Sequence, residues 1–334
     1  MNGIIIIDKP EGWTSHDVVA KLRGALKTKR IGHGGTLDPM ATGVLPIFIG
    51  RGTRAVQFIE NADKEYTAGL RLGIVTDTQD ITGTVLESSE ASITPFDLAA
   101  VLPSFIGAQK QIPPMYSAIK IGGKKLYELA RRGEEIQRPA RDITISDIQL
   151  LDGMDDHGGF LINVSCSKGT YVRTLCHDIG AALGCGATLS SLRRTRAGIF
   201  TIEMSHRLDD VIIAAEQGGF GGSGGSGESG GSGSSDGFDR SGGFGSSGGS
   251  GESSGSGGSG GILLPIDALF MEHPQVTLDE ATTQKCKNGA KCRFDSVADG
   301  TYRFYGPDNE FLLLGEIKEG SIKTIKSFFT PDTK

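Results

Sequence analysis

Residues 32–43 read GHGGTLDPMATG, and the apolar run VLPIFI follows at residues 44–49. Four glycines in this stretch let the backbone approach a ligand closely or adopt positive φ angles, and Pro39 restricts the preceding Asp38 to an extended backbone. The apolar run predicts a buried strand that anchors the loop. On its residues alone, the stretch is either a glycine-rich turn closed by an Asp-Pro pair or a loop that presents a carboxylate rigidly in a glycine-lined pocket.

Strand and helix patterns alternate on both sides of this loop. Ile4–Ile7 is a short β-branched run typical of a buried strand, and Thr14 with Asp17 forms a capping-box pattern that predicts a helix starting near Ser15. Two more elements follow further along: a half-buried strand at Leu161–Ser167 and a helix at Tyr171–Leu183 that Gly184 stops. These patterns predict an α/β or α+β domain over residues 1–217.

The rest of the chain divides into a linker and a second, smaller module. Residues 218–261 hold 22 glycines and 14 serines, which predicts a Gly/Ser-rich disordered linker or insertion. The apolar pattern returns at residues 262–271, which we assign to the first domain. Residues 272–330 predict a small β module with three strand candidates: Arg293–Ser296, Thr301–Tyr305 and Phe311–Ile317.

Composition excludes several classes of protein. The formal net charge of −6 excludes a uniformly basic nucleic-acid binder but not a locally basic one. No apolar run is long enough for a transmembrane helix, and the N-terminus lacks the basic region of a signal peptide. The five cysteines include no C-x-x-C pair, which favours free thiols in a reducing compartment. We therefore expect a cytoplasmic protein that does not bind membranes.

One segment is strongly basic. Residues 108–141, called the basic segment below, carry a net charge of +5 with Tyr116 and Tyr127 interleaved. Cations and aromatic rings together suit phosphate contact and base stacking, although the same pattern fits a solvated helix face. The chain lacks the Walker A, dinucleotide-binding and H-E-x-x-H motifs, and its six histidines have no metal-ligand spacing. We therefore expect chemistry without a cofactor or a metal.

The loop at residues 32–43 resembles the catalytic motif of the TruB family of tRNA pseudouridine-55 synthases. Four more stretches resemble that family's motifs in the same order: residues 3–19, 64–83, 111–133 and 166–198. The resemblance spans residues 1–217 and resumes at 263–267. It implies an α+β pseudouridine-synthase fold, with a mixed, mostly antiparallel sheet and flanking helices, followed by a PUA-like RNA-binding β domain.

The resemblance also implies roles for individual residues. Asp38 matches the family's catalytic aspartate, Arg173 the arginine that pairs with it, and Tyr66 the tyrosine that stacks on the flipped uracil. His33 matches a position that holds the flipped nucleotide. Further RNA contacts are implied in the motifs that line the same cleft: Lys9, Pro10, Leu192, Arg193 and Arg194. The basic segment matches a thumb that clamps the T-arm of tRNA through Lys120, Lys124, Lys125, Arg131 and Arg132.

Together these features predict an enzyme, an isomerase that converts the T-loop uridine of tRNA to pseudouridine after flipping the base out of its loop. The aspartate attacks C1′ or C6, or assists elimination to a glycal; the sequence leaves these routes open. We expect a monomer that needs no protein partner. The alternative is a tRNA-binding folding chaperone without turnover, and a guide-RNA-dependent subunit of a larger particle is a further one.

Overall fold

A computed structural model describes residues 1–117, 119–219, 261–290, 292–294 and 297–330. The predicted linker at residues 218–261 therefore lies almost entirely outside the described residues. The first fourteen strands are β1 (Gly3–Lys9), β2 (Ile31–His33), β3 (Thr42–Ile49), β4 (Lys64–Leu72), β5 (Ile74–Thr76), β6 (Val85–Ser88), β7 (Gly107–Gln111), β8 (Lys120–Ile121), β9 (Lys124–Lys125), β10 (Arg141–Met154), β11 (Phe160–Cys166), β12 (Ala187–Ala197), β13 (Phe200–Thr201) and β14 (His206–Arg207).

Helices flank these strands, as the sequence predicts. They are α1 (Ser15–Ala25), α2 (Val56–Glu60), α3 (Pro95–Val101), α4 (Leu126–Ala130), α5 (Val172–Ala182) and α6 (Leu208–Glu216). The capping box at the start of α1 is confirmed, because Asp17 N donates to Thr14 Oγ1 and Thr14 N donates to Asp17 Oδ2. Helix α5 ends at Ala182, two residues before Gly184, whose φ of +74° is the conformation that favours glycine after a helix.

A large sheet in strand order β14-β1-β3-β12-β4-β11-β10-β7 forms the centre of the first domain. Two short strands join it outside this order, β2 by pairing with β3 and β13 by pairing with β12. The β1–β14 and β3–β12 pairings are parallel and the other pairings are antiparallel. The mixed, mostly antiparallel sheet is therefore confirmed. Strands β5 and β6 form a separate hairpin, and so do β8 and β9.

Strand β1 is apolar throughout because both of its faces are covered. Ile5 and Ile7 belong to the apolar cluster that includes α1. Ile4 and Ile6 belong to a second cluster that includes the 3₁₀ turn Ile266–Phe270. Near this turn, Leu264 pairs with Ile4 of β1 through two backbone hydrogen bonds.

The C-terminal module has its own five-stranded sheet in the order β15-β17-β18-β19-β16. Its elements are β15 (Gln275–Thr277), α7 (Glu280–Lys287), β16 (Cys292–Arg293), β17 (Gly300–Tyr305), β18 (Phe311–Lys318) and β19 (Ser321–Ser327). The strand candidate at Arg293–Ser296 was placed too late, since β16 ends at Arg293, while Asp295 and Ser296 lie outside the described residues. Arg51 pairs with Glu310 at 2.8 Å and joins the two sheets.

Strand β12 brings distant parts of the chain together because it lies between β3 and β4. Its Arg194 is opposite Gly43 of β3 and Tyr66 of β4. Gly43 has a φ of +97°, and a Cβ there would lie 2.2 Å from the Arg194 carbonyl oxygen. Only glycine fits this crossing, which fixes the loop of residues 32–43 against the centre of the sheet.

Candidate active site

A cavity of about 290 Å³ opens above the centre of the sheet. Six separate stretches contribute to it: the glycine-rich loop, the end of α2, β4, the segment between β7 and β8, β12 and the residues around the start of α5. Its walls include Asp38, Tyr66, Ser117, Arg173, Leu192 and Arg194. The structure therefore brings together Asp38, Tyr66 and Arg173, which the sequence places 28 to 135 positions apart.

Arg173 lies between two carboxylates. Its Nε is 3.2 Å from Asp38 Oδ2 and its Nη1 is 3.2 Å from Asp80 Oδ2. Arg173 and Asp80 are both buried, whereas 40% of the Asp38 side chain is exposed to the cavity. Asp80 holds the guanidinium in place, because removing one partner of a buried ion pair costs about 3–5 kcal/mol. Of the two carboxylates, Asp38 is the one that a ligand can reach.

Two carbonyl oxygens complete the shell around Arg173. Nη1 also donates to the Thr78 carbonyl at 3.2 Å, and Nη2 donates to the Tyr116 carbonyl at 3.0 Å. Each nitrogen of the guanidinium thus has a partner in the protein. This arrangement holds the plane of the guanidinium and, through it, the position of the Asp38 carboxylate.

Asp80 is a residue that sequence reasoning missed. It stands in the run TDTQDITG of residues 76–83, which has the composition of an exposed turn. In the structure it is 5% exposed, and its Oδ1 accepts hydrogen bonds from the hydroxyls of Thr78 and Thr82. The signal that could have identified it is the threonine on either side, since such hydroxyls satisfy a buried carboxylate.

The groups around Asp38 shift its pKa in opposite directions. Burial among protein atoms raises the pKa of the Asp38 carboxyl above its ordinary value, and Asp80 raises it further. Arg173 and Lys9 lower the pKa and offset part of this effect. Arg173 therefore favours the charged form of Asp38, against the effect of burial.

Tyr66 forms a second wall of the cavity. The tyrosine is 9% exposed. Burial raises the pKa of its hydroxyl, with a smaller opposing effect from Arg194. A buried tyrosine at the edge of a cavity offers a planar apolar face together with one polar atom, which suits a planar heterocycle such as uracil.

Two predicted RNA contacts lie inside the protein. The Lys9 side chain is fully buried, and its Nζ donates to the carbonyls of Pro10, Trp13 and Pro39. Arg194 is 1% exposed, and its Nε donates to the Val44 carbonyl. The donors of Lys9 are thus used by the protein, and its direct contact with RNA stays a prediction. Arg194 belongs to the inner wall beside Tyr66 and is not free for a backbone phosphate.

The remaining predicted contacts lie in different places. Leu192 lines the main cavity, whereas Pro10 and Arg193 line a neighbouring cavity. Arg193 pairs with Asp8 through Nη1 at 3.1 Å and Nη2 at 2.8 Å. His33 is not among the lining residues of the main cavity.

His33 instead packs edge-on against His16, with ring centroids 5.2 Å apart. Burial lowers the pKa of His33 to about 4, so the ring is neutral at physiological pH. Among the described residues, its Nδ1 has no hydrogen-bond partner. The role of His33 in holding a nucleotide stays a prediction.

The predicted clamp residues are on an exposed hairpin and the helix after it. Lys120 lies on β8, Lys124 and Lys125 on β9, and Arg131 and Arg132 directly after α4. All are exposed except Lys125, which contacts the Tyr127 ring and hydroxyl. The basic segment thus presents four cations to solvent at its tip.

The described residues contain no group of three His, Cys, Asp or Glu side chains that could hold a metal ion. Within the same residues, no helix has the length and apolar character needed to cross a bilayer.

Comparisons with known proteins point to one family. A model described as "TruB family pseudouridylate synthase (N terminal domain)" matches residues 23–172, and one described as "tRNA pseudouridylate synthase B C-terminal domain" matches residues 173–217. The tRNA pseudouridine synthase B of Clostridium kluyveri is 37% identical over 98% of this chain and 100% of its own length. Those of Alkaliphilus oremlandii and Bacillus subtilis are 50% and 48% identical over 63% and 65% of this chain, and over 70% and 72% of their own lengths.

The fold is also similar to a solved structure. A chain of the structure described as "Crystal Structure of a Cbf5-Nop10-Gar1 Complex" superposes with a TM-score of 0.65 at 24% identity, covering 99% of this chain and 86% of that one. At this identity the likeness concerns the fold alone. It confirms the predicted α+β architecture with a separate C-terminal sheet.

Proposed function

The chain belongs to the TruB family of pseudouridylate synthases and is a tRNA pseudouridine synthase, and we propose that it isomerises the T-loop uridine in the cavity around Asp38. The observation that carries this proposal is the pairing of the accessible Asp38 carboxylate with the buried Arg173 at 3.2 Å beside Tyr66. A carboxylate, a guanidinium and an aromatic face in one small cavity suit chemistry on a single flipped base.

The reaction breaks the N1–C1′ bond of uridine, turns the uracil and joins C5 to C1′, and the C5 proton is finally lost to solvent while N1 gains one. The atoms balance without an oxidant or reductant. Asp38 supplies the reactive carboxylate, and Arg173 keeps it ionised and oriented. Tyr66 provides the face on which the extruded uracil stacks.

The exposed cations of the basic segment support tRNA as the partner. Lys120, Lys124, Arg131 and Arg132 face solvent, where phosphates can approach them. Arg132 pairs with Glu134, and the guanidinium of Arg131 lies 5.4 Å from the centre of the Tyr127 ring. Phosphate contacts offset the few kcal/mol that unstacking a base costs. We expect these residues to contribute to affinity and the cavity residues to contribute to rate.

Tritium release from C5-tritiated uridine in an unmodified tRNA transcript tests the proposal. The wild type is expected to release tritium without added metal or cofactor. Asp38→Asn should slow release at least about 10⁴-fold, the scale of removing a central catalytic group, and bind tRNA with unchanged affinity in a filter assay. Asp156→Asn, an exposed aspartate in the turn before β11, is the matched control and should release tritium at the wild-type rate.

A wild-type rate for Asp38→Asn would overturn the assignment of the catalytic carboxylate. No release by the wild type, together with tight tRNA binding, would favour the chaperone without turnover. A transcript in which the T-loop uridine is replaced by cytidine should release no tritium, and undiminished release would place the target elsewhere in tRNA.

A further inference from the structure

A short stretch of the basic segment runs directly across Arg173. Residues 112–117, called the strap below, connect β7 to the β8–β9 hairpin. At its beginning, Gln111 and Tyr171 exchange two hydrogen bonds, from Gln111 Nε2 to the Tyr171 carbonyl at 3.1 Å and from Tyr171 N to Gln111 Oε1 at 2.8 Å. These two hydrogen bonds fix the start of the strap to Tyr171, which precedes α5 and lies two positions before Arg173.

At the other end of the strap, Tyr116 makes two contacts. Its carbonyl accepts from Arg173 Nη2 at 3.0 Å, and its hydroxyl donates to Asp77 Oδ2 at 3.2 Å. The next residue, Ser117, lines the catalytic cavity. Tyr116 thus touches the arginine with its backbone and a separate loop with its side chain.

The loop that receives the Tyr116 hydroxyl also holds the other side of Arg173. Asp77 begins a turn in which its Oδ1 accepts from Thr84 N at 2.8 Å. The same turn carries the Thr78 carbonyl and Asp80, both of which bind Arg173 Nη1. The hydrogen bond from Tyr116 to Asp77 therefore closes a ring of contacts around the guanidinium.

The strap also carries the exposed part of the basic segment. Tyr127 N, in the first turn of α4, donates to the Ser117 carbonyl at 3.1 Å, and Leu126 N donates to the Ile119 carbonyl at 2.8 Å. The helix next to the cations and the catalytic arginine are therefore bonded to adjacent residues of one chain segment, Ser117 and Tyr116.

We propose that Tyr116 is a positioning residue that couples the basic segment to the Asp38–Arg173 pair. Its hydroxyl, held by Asp77, keeps its carbonyl against Arg173, and the arginine in turn keeps Asp38 in its reactive orientation. A tRNA held by the basic segment steadies the same strap. This inference rests on the proposed function, because Asp38 is the group whose position matters.

The coupling predicts a loss of rate without a loss of affinity. Tyr116→Phe removes the hydroxyl and keeps the carbonyl and the ring, so the carbonyl is no longer fixed from the side of Asp77. With enzyme in excess over C5-tritiated tRNA, the single-turnover rate constant should fall about tenfold, the scale of one hydrogen bond to a charged group. The dissociation constant for tRNA should stay within about twofold of the wild type.

A double-mutant cycle separates positioning from general destabilisation. Asp77→Ala removes the same hydrogen bond from its other side, so the combination with Tyr116→Phe should be no slower than the slower single variant. Tyr302→Phe, which loses a hydroxyl bonded to the Ala298 carbonyl in the C-terminal module, is the matched control and should react at the wild-type rate. Thermal melting of each variant checks that it is folded.

The possible results distinguish a failure of the coupling through Tyr116 from a failure of the proposed function. A wild-type rate for Tyr116→Phe, fully additive effects with Asp77→Ala, or a weaker tRNA affinity with an unchanged rate at saturation would overturn the coupling while leaving the proposed function intact. Absence of turnover in the wild type would overturn the proposed function and the coupling with it.

Discussion

The cavity around Asp38 and the tip of the basic segment both contain cationic side chains, which are buried in the cavity and exposed at the tip. In the cavity, Arg173 is 5% exposed and Arg194 is 1% exposed, and both guanidiniums donate to fixed oxygens of the protein. At the tip, Lys120, Lys124 and Arg131 are exposed. The same charge therefore has fixed protein partners in one region and faces solvent in the other.

The physical reason for this difference is solvation. A buried charge must have partners in place, because water cannot replace them, and those partners fix its position to a fraction of an ångström. An exposed lysine keeps its water and its rotamer freedom, and its attraction to a phosphate is screened by salt. Changes in the cavity are thus expected to alter rate, and changes at the tip to alter affinity.

The strongest test of this comparison is Arg173→Lys. Lysine keeps the positive charge but cannot bind Asp38, Asp80 and the Tyr116 carbonyl at once, because it lacks the planar guanidinium. We expect the single-turnover rate of tritium release to fall by about 10²-fold, the scale of misplacing a reacting group. Affinity for tRNA, measured by filter binding, should be unchanged, and a weakened affinity would show that Arg173 also grips the RNA.

A smaller effect is expected at the tip of the basic segment. Replacing Lys120, Lys124 and Arg131 together by alanine should weaken tRNA binding by about 30-fold and make the dependence of log K on log salt shallower by about two units. At saturating enzyme the single-turnover rate should match the wild type. Arg173→Lys is the control, since its salt dependence should equal that of the wild type, and a reduced saturating rate in the triple variant would contradict the separation.

The smallest expected effect is that of pH on the wild type. Burial raises the pKa of Asp38, so this carboxylate becomes protonated at a higher pH than an ordinary aspartate and activity is lost as the pH falls. The acidic limb of the saturating rate should therefore lie at higher pH than the titration of an ordinary aspartate, while changes in salt concentration should leave the saturating rate unaltered. Arg173 holds the pKa down, so Arg173→Lys should move this acidic limb to higher pH if its ammonium lies farther from Asp38.

Local sequence patterns predicted many of the elements correctly. The cap at Thr14, the strand at Ile4–Ile7 and the helix before Gly184 depend on residues within a few positions of one another, and all three are present. The boundary at Arg293–Ser296 was wrong because alternation in a short strand has few residues to define it. The domain boundaries and the roles of the site residues stay predictions.

The burial of charged side chains was the property that the sequence could not reveal. Lys9 stands next to a proline in a loop-like stretch and was assigned to RNA, yet its ammonium is enclosed by three carbonyl groups. Asp80 has the composition of an exposed turn, yet it is one of the two carboxylates on Arg173. Each also has a partner distant in sequence, Pro39 for Lys9 and Arg173 for Asp80, which neighbouring residues do not indicate.

The sequence by itself determined that Asp38 stands between a glycine-rich stretch and a proline, because backbone freedom and the restriction before proline are local properties. Tertiary structure decided what surrounds that carboxylate. Asp80 and Arg173 are 93 positions apart, and Val44 and Arg194 are 150 apart. The placement of β12 between β3 and β4 brings Arg194 beside Gly43 and Tyr66, and strand order depends on the packing of the whole sheet.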